Sequence, residues 1–213
     1  MNGKIKDPVS CLTHLLGALL AVAGLILLLT RPSEQMSVTH YVSFALFGTS
    51  MILLYSASAL YHYFNLSERS TLIFRRIDHI MIFMLIAGTY TPICLIPLRG
   101  GWGWTLLALV WTLALAGIVF KIFWLGAPRK LYTFIYLFLG WIIIIAIWPL
   151  WQALSLTALI WLLAGGLFYS AGAIIYALKR PDPWPGKFGF HEIFHILIML
   201  GTFSQFWMIY KYL

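Results

Sequence analysis

The chain has 213 residues, of which 62% are hydrophobic and only 9% are charged, and its formal net charge is +8. A water-soluble domain contains about 25% charged residues, so this composition excludes a soluble globular protein and indicates a multi-pass membrane protein. The positive charge does not indicate a nucleic-acid partner, because the basic residues fall in short gaps between apolar runs. In that position they act as topology signals and contact anionic headgroups.

A membrane helix needs about 20 mostly apolar residues. The first apolar run follows the short basic stretch MNGKIKDP and is longer than the core of a signal peptide, so it is interpreted as a membrane helix. The sequence predicts an all-α bundle of seven transmembrane helices, with residues 1–213 forming a single domain. The predicted spans are roughly 9–30, 39–63, 75–97, 102–123, 130–150, 153–178 and 189–212.

Basic residues are distributed unequally between the two sides of this predicted bundle. The richer side holds Lys4, Lys6, Arg69, Arg75, Arg76, Lys121, Arg129, Lys130, Lys179, Arg180 and Lys187. The other side holds only Arg31, Arg99 and Lys211. Lys and Arg concentrate on the cytoplasmic side of membrane proteins, so the N-terminus is predicted to be cytoplasmic and the C-terminus to lie outside.

Two further patterns concern packing rather than chemistry. Cys11 and Cys94 fall near opposite faces of the membrane in this topology, so no disulfide is expected between them. Small residues share a face of the sixth predicted span, which indicates close packing against a neighbouring helix. They are Gly165, Gly166, Ser170 and Gly172.

The stretch FGFHEIFH contains an H-E-x-x-H pattern formed by His191, Glu192 and His195. Residues four apart share one helix face, so the two imidazoles can hold one metal ion; the alternative is two interfacial histidines bonded to backbone or water. In metalloproteases the glutamate of this pattern is the general base, and zinc needs at least one more protein ligand. The residues after His195 include no His, Asp, Glu or Cys, so another helix must supply that ligand.

The best third ligand is His62, at the end of the second predicted span. The alternating directions of the spans place His62, Asp78 and His191 at one depth near the cytoplasmic side. Asp78 is interpreted as a carboxylate that orients or deprotonates a water at the metal, although charge complementarity at a helix N-terminus or pairing with a nearby arginine would also explain it. Ser58 shares the helix face of His62 one turn deeper, and its alternative role is a hydrogen bond to its own helix.

The other histidines are weaker candidates. His14, in the first span, is a possible alternative ligand near the cytoplasmic side. His79 points about 100° away from Asp78 around the same helix and is interpreted as a packing or lipid-interface residue. His40 belongs to the outer side of the membrane and cannot join the cluster.

Four parts of the chain resemble the hemolysin III family, which is related to the progestin and adipoQ (adiponectin) receptors and more distantly to alkaline ceramidases. They are THLLG (13–17), SASALYH (56–62), RRIDH with LIAGTYTP (75–92) and FGFHEIFH (188–195). The resemblance implies zinc held by His62, His191 and His195, with Ser58 and Asp78 nearby and no ligand role for Glu192. It also implies a bacterial inner (plasma) membrane location.

The expected function is that of a zinc-dependent hydrolase acting on lipid amides or esters near the cytoplasmic leaflet, with Asp78 and Ser58 as catalytic residues. The main alternative is a non-catalytic receptor or regulator of lipid homeostasis, in which zinc joins the second and seventh spans. A pore-forming cytolysin is suggested by the family name, and a protease with Glu192 as base by the five-residue pattern. A membrane lipid is the expected substrate or ligand; the sequence predicts neither a protein partner nor an oligomeric state.

Overall fold

The computed structural model describes residues 5–32 and 36–213, most of which are α-helical. The helices are α1 (Pro8–Thr30), α2 (Val38–Tyr63), α3 (Glu68–Leu95), α4 (Gly101–Phe123), α5 (Arg129–Trp141), α6 (Ile147–Ala153), α7 (Leu156–Leu178) and α8 (Phe190–Tyr212). A short 3₁₀ segment, Ile142–Ala146, joins α5 to α6 within one span. The described residues thus contain seven helical spans long and apolar enough to cross a membrane, which confirms the predicted fold class.

The bundle closes because its first and last helices pack together. Helix α1 contacts both α2 and α8, α3 packs between α2 and α4, and α7 packs against α8 and α5. The side chains of Phe44, Phe47 and Phe83 are fully buried between the spans, and the apolar side chains on the outer faces are left for lipid. This closure places the start of α1 beside the start of α8, so residues far apart in the sequence meet at one end of the bundle.

Helix α3 begins at Glu68, earlier than the predicted span that starts at residue 75. The Ser67 hydroxyl accepts a hydrogen bond from the backbone N–H of Ser70 at 3.4 Å, and Glu68 adds negative charge to the first turn. Asp78 therefore lies well inside the helix. The helix-dipole effect is confined to the first turn, so helix N-terminal charge complementarity does not explain Asp78.

The fifth span is broken at its middle, where the helix tightens into the 3₁₀ segment. Pro149 lacks a backbone N–H, so the preceding turn loses a regular helical hydrogen bond. The hydroxyl of Tyr90 donates to the carbonyls of Leu139 at 3.0 Å and Gly140 at 2.7 Å, and it accepts from the N–H of Ile143 at 2.9 Å. These bonds satisfy backbone groups that lipid could not.

One of the basic residues used to predict the orientation of the bundle is buried. Lys121 is fully buried in the last turn of α4, and its Nζ lies 3.5 Å from the centroid of the Tyr132 ring, so its side chain packs against α5 instead of being exposed. Lys4, another residue of that set, lies outside the described residues. The orientation of the two termini remains a prediction.

The small residues of α7, which is the sixth span, contact two neighbouring helices. A methyl group added at Gly165 would overlap the side-chain amide of Gln205 on α8, so this contact requires glycine. The Ser170 hydroxyl instead accepts a hydrogen bond from the indole N–H of Trp141 on α5 at 2.9 Å. Cys11 and Cys94 are both buried free thiols.

Candidate metal centre

Three histidines from two helices converge at one end of the bundle. His62 lies in the last turn of α2, whereas His191 and His195 lie in the first turns of α8. One ligand nitrogen from each lies within 4.8 Å of the others, and the Nε2 atoms of His62 and His191 are 3.2 Å apart. The fold thus brings together the three predicted ligands, which we call the histidine cluster, and they can hold a metal ion.

The N-terminal segment, residues 5–7, holds His62 in place. Oδ2 of Asp7 lies 2.9 Å from Nδ1 of His62, on the opposite side of the ring from His191. The hydrogen bond from His62 holds the pKa of Asp7 below its usual value. Sequence reasoning missed Asp7, because this residue precedes the first apolar run.

Helix α1 forms a wall of the cluster through Thr13 and His14. His14 stacks on His195 with ring centroids 3.6 Å apart and planes only 8° from parallel. Oγ1 of Thr13 lies 3.4 Å from Nδ1 of His195. His14 is buried but does not belong to the group of convergent ligand atoms, so it packs against a candidate ligand rather than acting as one.

Glu192, the acidic residue of the H-E-x-x-H pattern, is engaged away from the cluster. One carboxylate oxygen accepts a hydrogen bond from the backbone N–H of Gly189 at 2.8 Å, and the other accepts from the hydroxyl of Ser10 at 2.6 Å. Glu192 therefore caps its own helix and ties α8 to α1. Both oxygens are occupied, which argues against the protease-type role in which this residue is the general base.

Ser58 and Asp78 come together beside the histidine cluster. Ser58 is buried on α2, one turn from His62, and its hydroxyl lies beside the carboxylate of Asp78 on α3. All three residues line one cavity, which therefore has a polar end containing a hydroxyl, a carboxylate and an imidazole.

This cavity has a volume of about 810 Å³ and extends from the histidine cluster between α3, the broken fifth span and α7. Its far end is apolar, with a lining that includes Leu150, Trp151 and Ile160. The break in the fifth span contributes Ile143 and Ile144 to the wall. The site thus combines a compact polar end with a long apolar chamber.

The remaining histidines lie elsewhere. His40 is near the opposite end of α2 from His62 and contacts the Ser37 hydroxyl at 2.8 Å, in line with its predicted separation from the cluster. His79 is buried, and its ring lies 5.3 Å from the ring of Tyr132. His79 therefore packs inside the bundle, which is one of the two roles predicted for it.

Comparison with known proteins gives a consistent result across the chain. A family model described as "Haemolysin-III related" matches residues 2–206. The chain is 40% identical over 213 residues to Hemolysin-3 of Bacillus cereus, covering 100% of this chain and 94% of the relative. It is 42% identical over 211 residues to the Hemolysin-3 homolog of Bacillus subtilis (strain 168), covering 98% and 95%. Similarity to the adiponectin receptor protein of Drosophila melanogaster is 28% over 211 residues, covering 91% and 48%.

Proposed function

The chain belongs to the hemolysin III family, as a multi-pass protein of the plasma membrane, and from that premise we propose that it is a zinc-dependent hydrolase of lipid amides or esters. The observation that carries the proposal is the continuity of one cavity from the histidine cluster and Asp78 to an apolar chamber. In this proposal the whole chain acts as one domain, and the polar end of the cavity opens toward the cytoplasmic leaflet.

The donor set of the histidine cluster fits zinc. Imidazole nitrogens bind zinc at about 2.0–2.1 Å, so two of them on one tetrahedral ion lie roughly 3.3–3.4 Å apart. The Nε2 atoms of His62 and His191 are separated by 3.2 Å. Three histidines also match the ligand count of a catalytic site, which keeps one position open. When bound, zinc would polarise a carbonyl group and make a water molecule more acidic.

Asp78 would transfer the proton, and Ser58 would position the reacting groups by hydrogen bonding. The carboxylate of Asp78 is the general base that takes a proton from the attacking water and later returns it to the leaving amine or alcohol. The Ser58 hydroxyl, beside this carboxylate, donates a hydrogen bond to Asp78, to the water or to the developing oxyanion. The shared face of Ser58 and His62 keeps both groups at one wall of the cavity.

The shape and lining of the cavity support a lipid substrate. Apolar side chains such as Leu150, Ile160 and Leu163 line the chamber beyond the polar end, so an acyl chain could be buried there while its amide or ester group lies near Asp78. A water-soluble substrate would gain nothing from this long apolar surface. The position of the carbonyl, rather than the identity of the headgroup, is what this arrangement determines.

The test is hydrolysis by purified, zinc-loaded protein of a panel of long-chain lipid amides and esters, with Asp78→Asn as the variant. A missing general base should lower turnover by about 10²- to 10⁴-fold while zinc content stays the same. Glu68→Gln, at the exposed start of the same helix, is the matched control and should retain full activity. Protein that holds one zinc and turns over no lipid amide or ester would refute the hydrolase proposal.

A second candidate function, a non-catalytic receptor or regulator of membrane lipid state, is favoured by a separate observation. The histidine cluster joins α2 to α8, so bound zinc would fasten two helices whether or not a substrate reacts. On this alternative, Asp78→Asn would leave the cellular lipid phenotype unchanged, whereas any substitution in the cluster would abolish it.

A further inference from the structure

We propose that Asp7 is a positioning residue of the metal centre, which fixes the tautomer and the ring orientation of His62. This inference rests on the metal site of the proposed function. It assigns a role to a residue that lies before the first membrane span and touches none of the reacting groups. The contacts of residues 5–7 with the end of α2 support this role.

The N-terminal segment is bonded along the last turn of α2. The backbone N–H of Asp7 donates to the carbonyl of His62 at 3.0 Å, and the N–H of Lys6 donates to the carbonyl of Tyr63 at 3.3 Å. The last carbonyls of a helix have no partner within it, and here the preceding chain supplies partners. These bonds hold Asp7 at a constant distance from the His62 ring.

The carboxylate of Asp7 is directed at His62 rather than at its own helix. Asp7 occupies the N-cap position of α1, where an aspartate normally accepts hydrogen bonds from the first N–H groups of the helix. It makes no such bond, and its Oδ2 lies 2.9 Å from Nδ1 of His62 instead.

A carboxylate at Nδ1 determines what the other ring nitrogen does. In a neutral imidazole one nitrogen carries the proton and the other a lone pair. The Asp7 carboxylate accepts a hydrogen bond from the Nδ1–H of His62, so the lone pair of His62 lies on Nε2, which faces His191 at 3.2 Å. Carboxylate partners of metal-binding histidines act in this way, and their loss typically lowers metal affinity by about 10- to 100-fold.

Lys6 provides the matched control, because it fastens the same segment without touching His62. Its Nζ lies 3.7 Å from the centroid of the Tyr61 ring, 3.5 Å from the Tyr61 carbonyl oxygen and 3.7 Å from Oδ2 of Asp7. If Asp7 mattered only as part of a clamp on α2, the loss of the Lys6 side chain would have a similar effect on the site.

The experiment measures the zinc affinity of the purified full-length protein in detergent, by competition with a chelating dye. Asp7→Ala should bind zinc about 10- to 100-fold more weakly than the wild type. Asp7→Asn, whose side-chain oxygen still accepts from Nδ1 but carries no charge, should lie between the two. Lys6→Met should bind like the wild type, and melting temperatures identify any variant that is misfolded.

The outcomes separate this inference from the proposed function. Equal zinc affinity of the wild type and His62→Ala would overturn both, because His62 would then not be a ligand. A large loss in His62→Ala, with wild-type affinity in both Asp7 variants, would overturn only the role of Asp7. Equal losses in Asp7→Ala and Lys6→Met would also overturn it, because a clamp alone would then explain the effect.

Discussion

Removal of the His62 imidazole tests whether the metal site bridges two helices. Of the three cluster histidines, His191 and His195 are one turn apart on α8, whereas His62 comes from α2. If zinc were bound by the α8 pair with other ligands, His62→Ala would change its affinity little. If the ion is shared, as the 3.2 Å separation of the two Nε2 atoms indicates, the variant should lose most of its bound zinc.

The expected size of the loss follows from the ligand count. Structural zinc sites with four ligands are worth about 10–16 kcal/mol in apparent binding free energy, which is roughly 2.5–4 kcal/mol for each ligand. Because 1.4 kcal/mol corresponds to a tenfold change, His62→Ala should weaken zinc binding roughly 60- to 700-fold. His62 is buried, so a water molecule cannot readily take the place of its nitrogen.

The assay is metal content after dialysis, followed by competition with a chelating dye. His40→Ala is the matched control, since His40 is also a buried histidine of α2 but lies near the opposite end of that helix. It should retain wild-type zinc content. A His62→Ala protein that keeps a full equivalent of zinc, within tenfold of the wild-type affinity, would refute the cross-helix site.

Two further predictions concern the framework around the site. Tyr90→Phe removes the hydroxyl that bonds the broken fifth span, so it should lower the free energy of unfolding by about 1–3 kcal/mol, measured by thermal denaturation in detergent. The control is Tyr41→Phe at an exposed tyrosine, which should have no effect. Equal melting temperatures of the two variants would contradict the role of Tyr90. Gly165→Ala should destabilise the protein by about 1–3 kcal/mol, because the added methyl group overlaps Gln205. At Gly166 an added methyl group meets only the Trp141 ring, at 3.4 Å, so Gly166→Ala should be tolerated. Similar stability of both variants would refute the packing argument.

The number of spans and the convergence of the three histidines could be predicted from the sequence for the same physical reason. Lipid requires long apolar helices, so each of the few ionisable residues inside them is conspicuous, as His62, His195 and Asp78 are. The direction of successive spans then placed these residues at one depth. Neither the apolar length of the spans nor their alternating direction depends on the details of packing.

The contribution of the N-terminal region could not be predicted in this way. Asp7 lies outside the apolar runs, and the pairing of Ser10 with Glu192 depends on α1 packing against α8, which hydropathy does not determine. The start of α3 at Glu68 was also missed, because it depends on the Ser67 cap rather than on apolar character. The role of Glu192 was recognisable only once its two hydrogen-bond partners were in place.

The closure of α1 against α8 also has a consequence for biosynthesis. Asp7 and Thr13 emerge from the ribosome long before His191 and His195, and translation at about 5–20 residues per second separates them by roughly 10–40 s. During this interval His62 and Asp78 are already inserted but have no partners from α8. In the proposed site, metal loading would therefore have to await the start of α8, which supplies two of the three histidines.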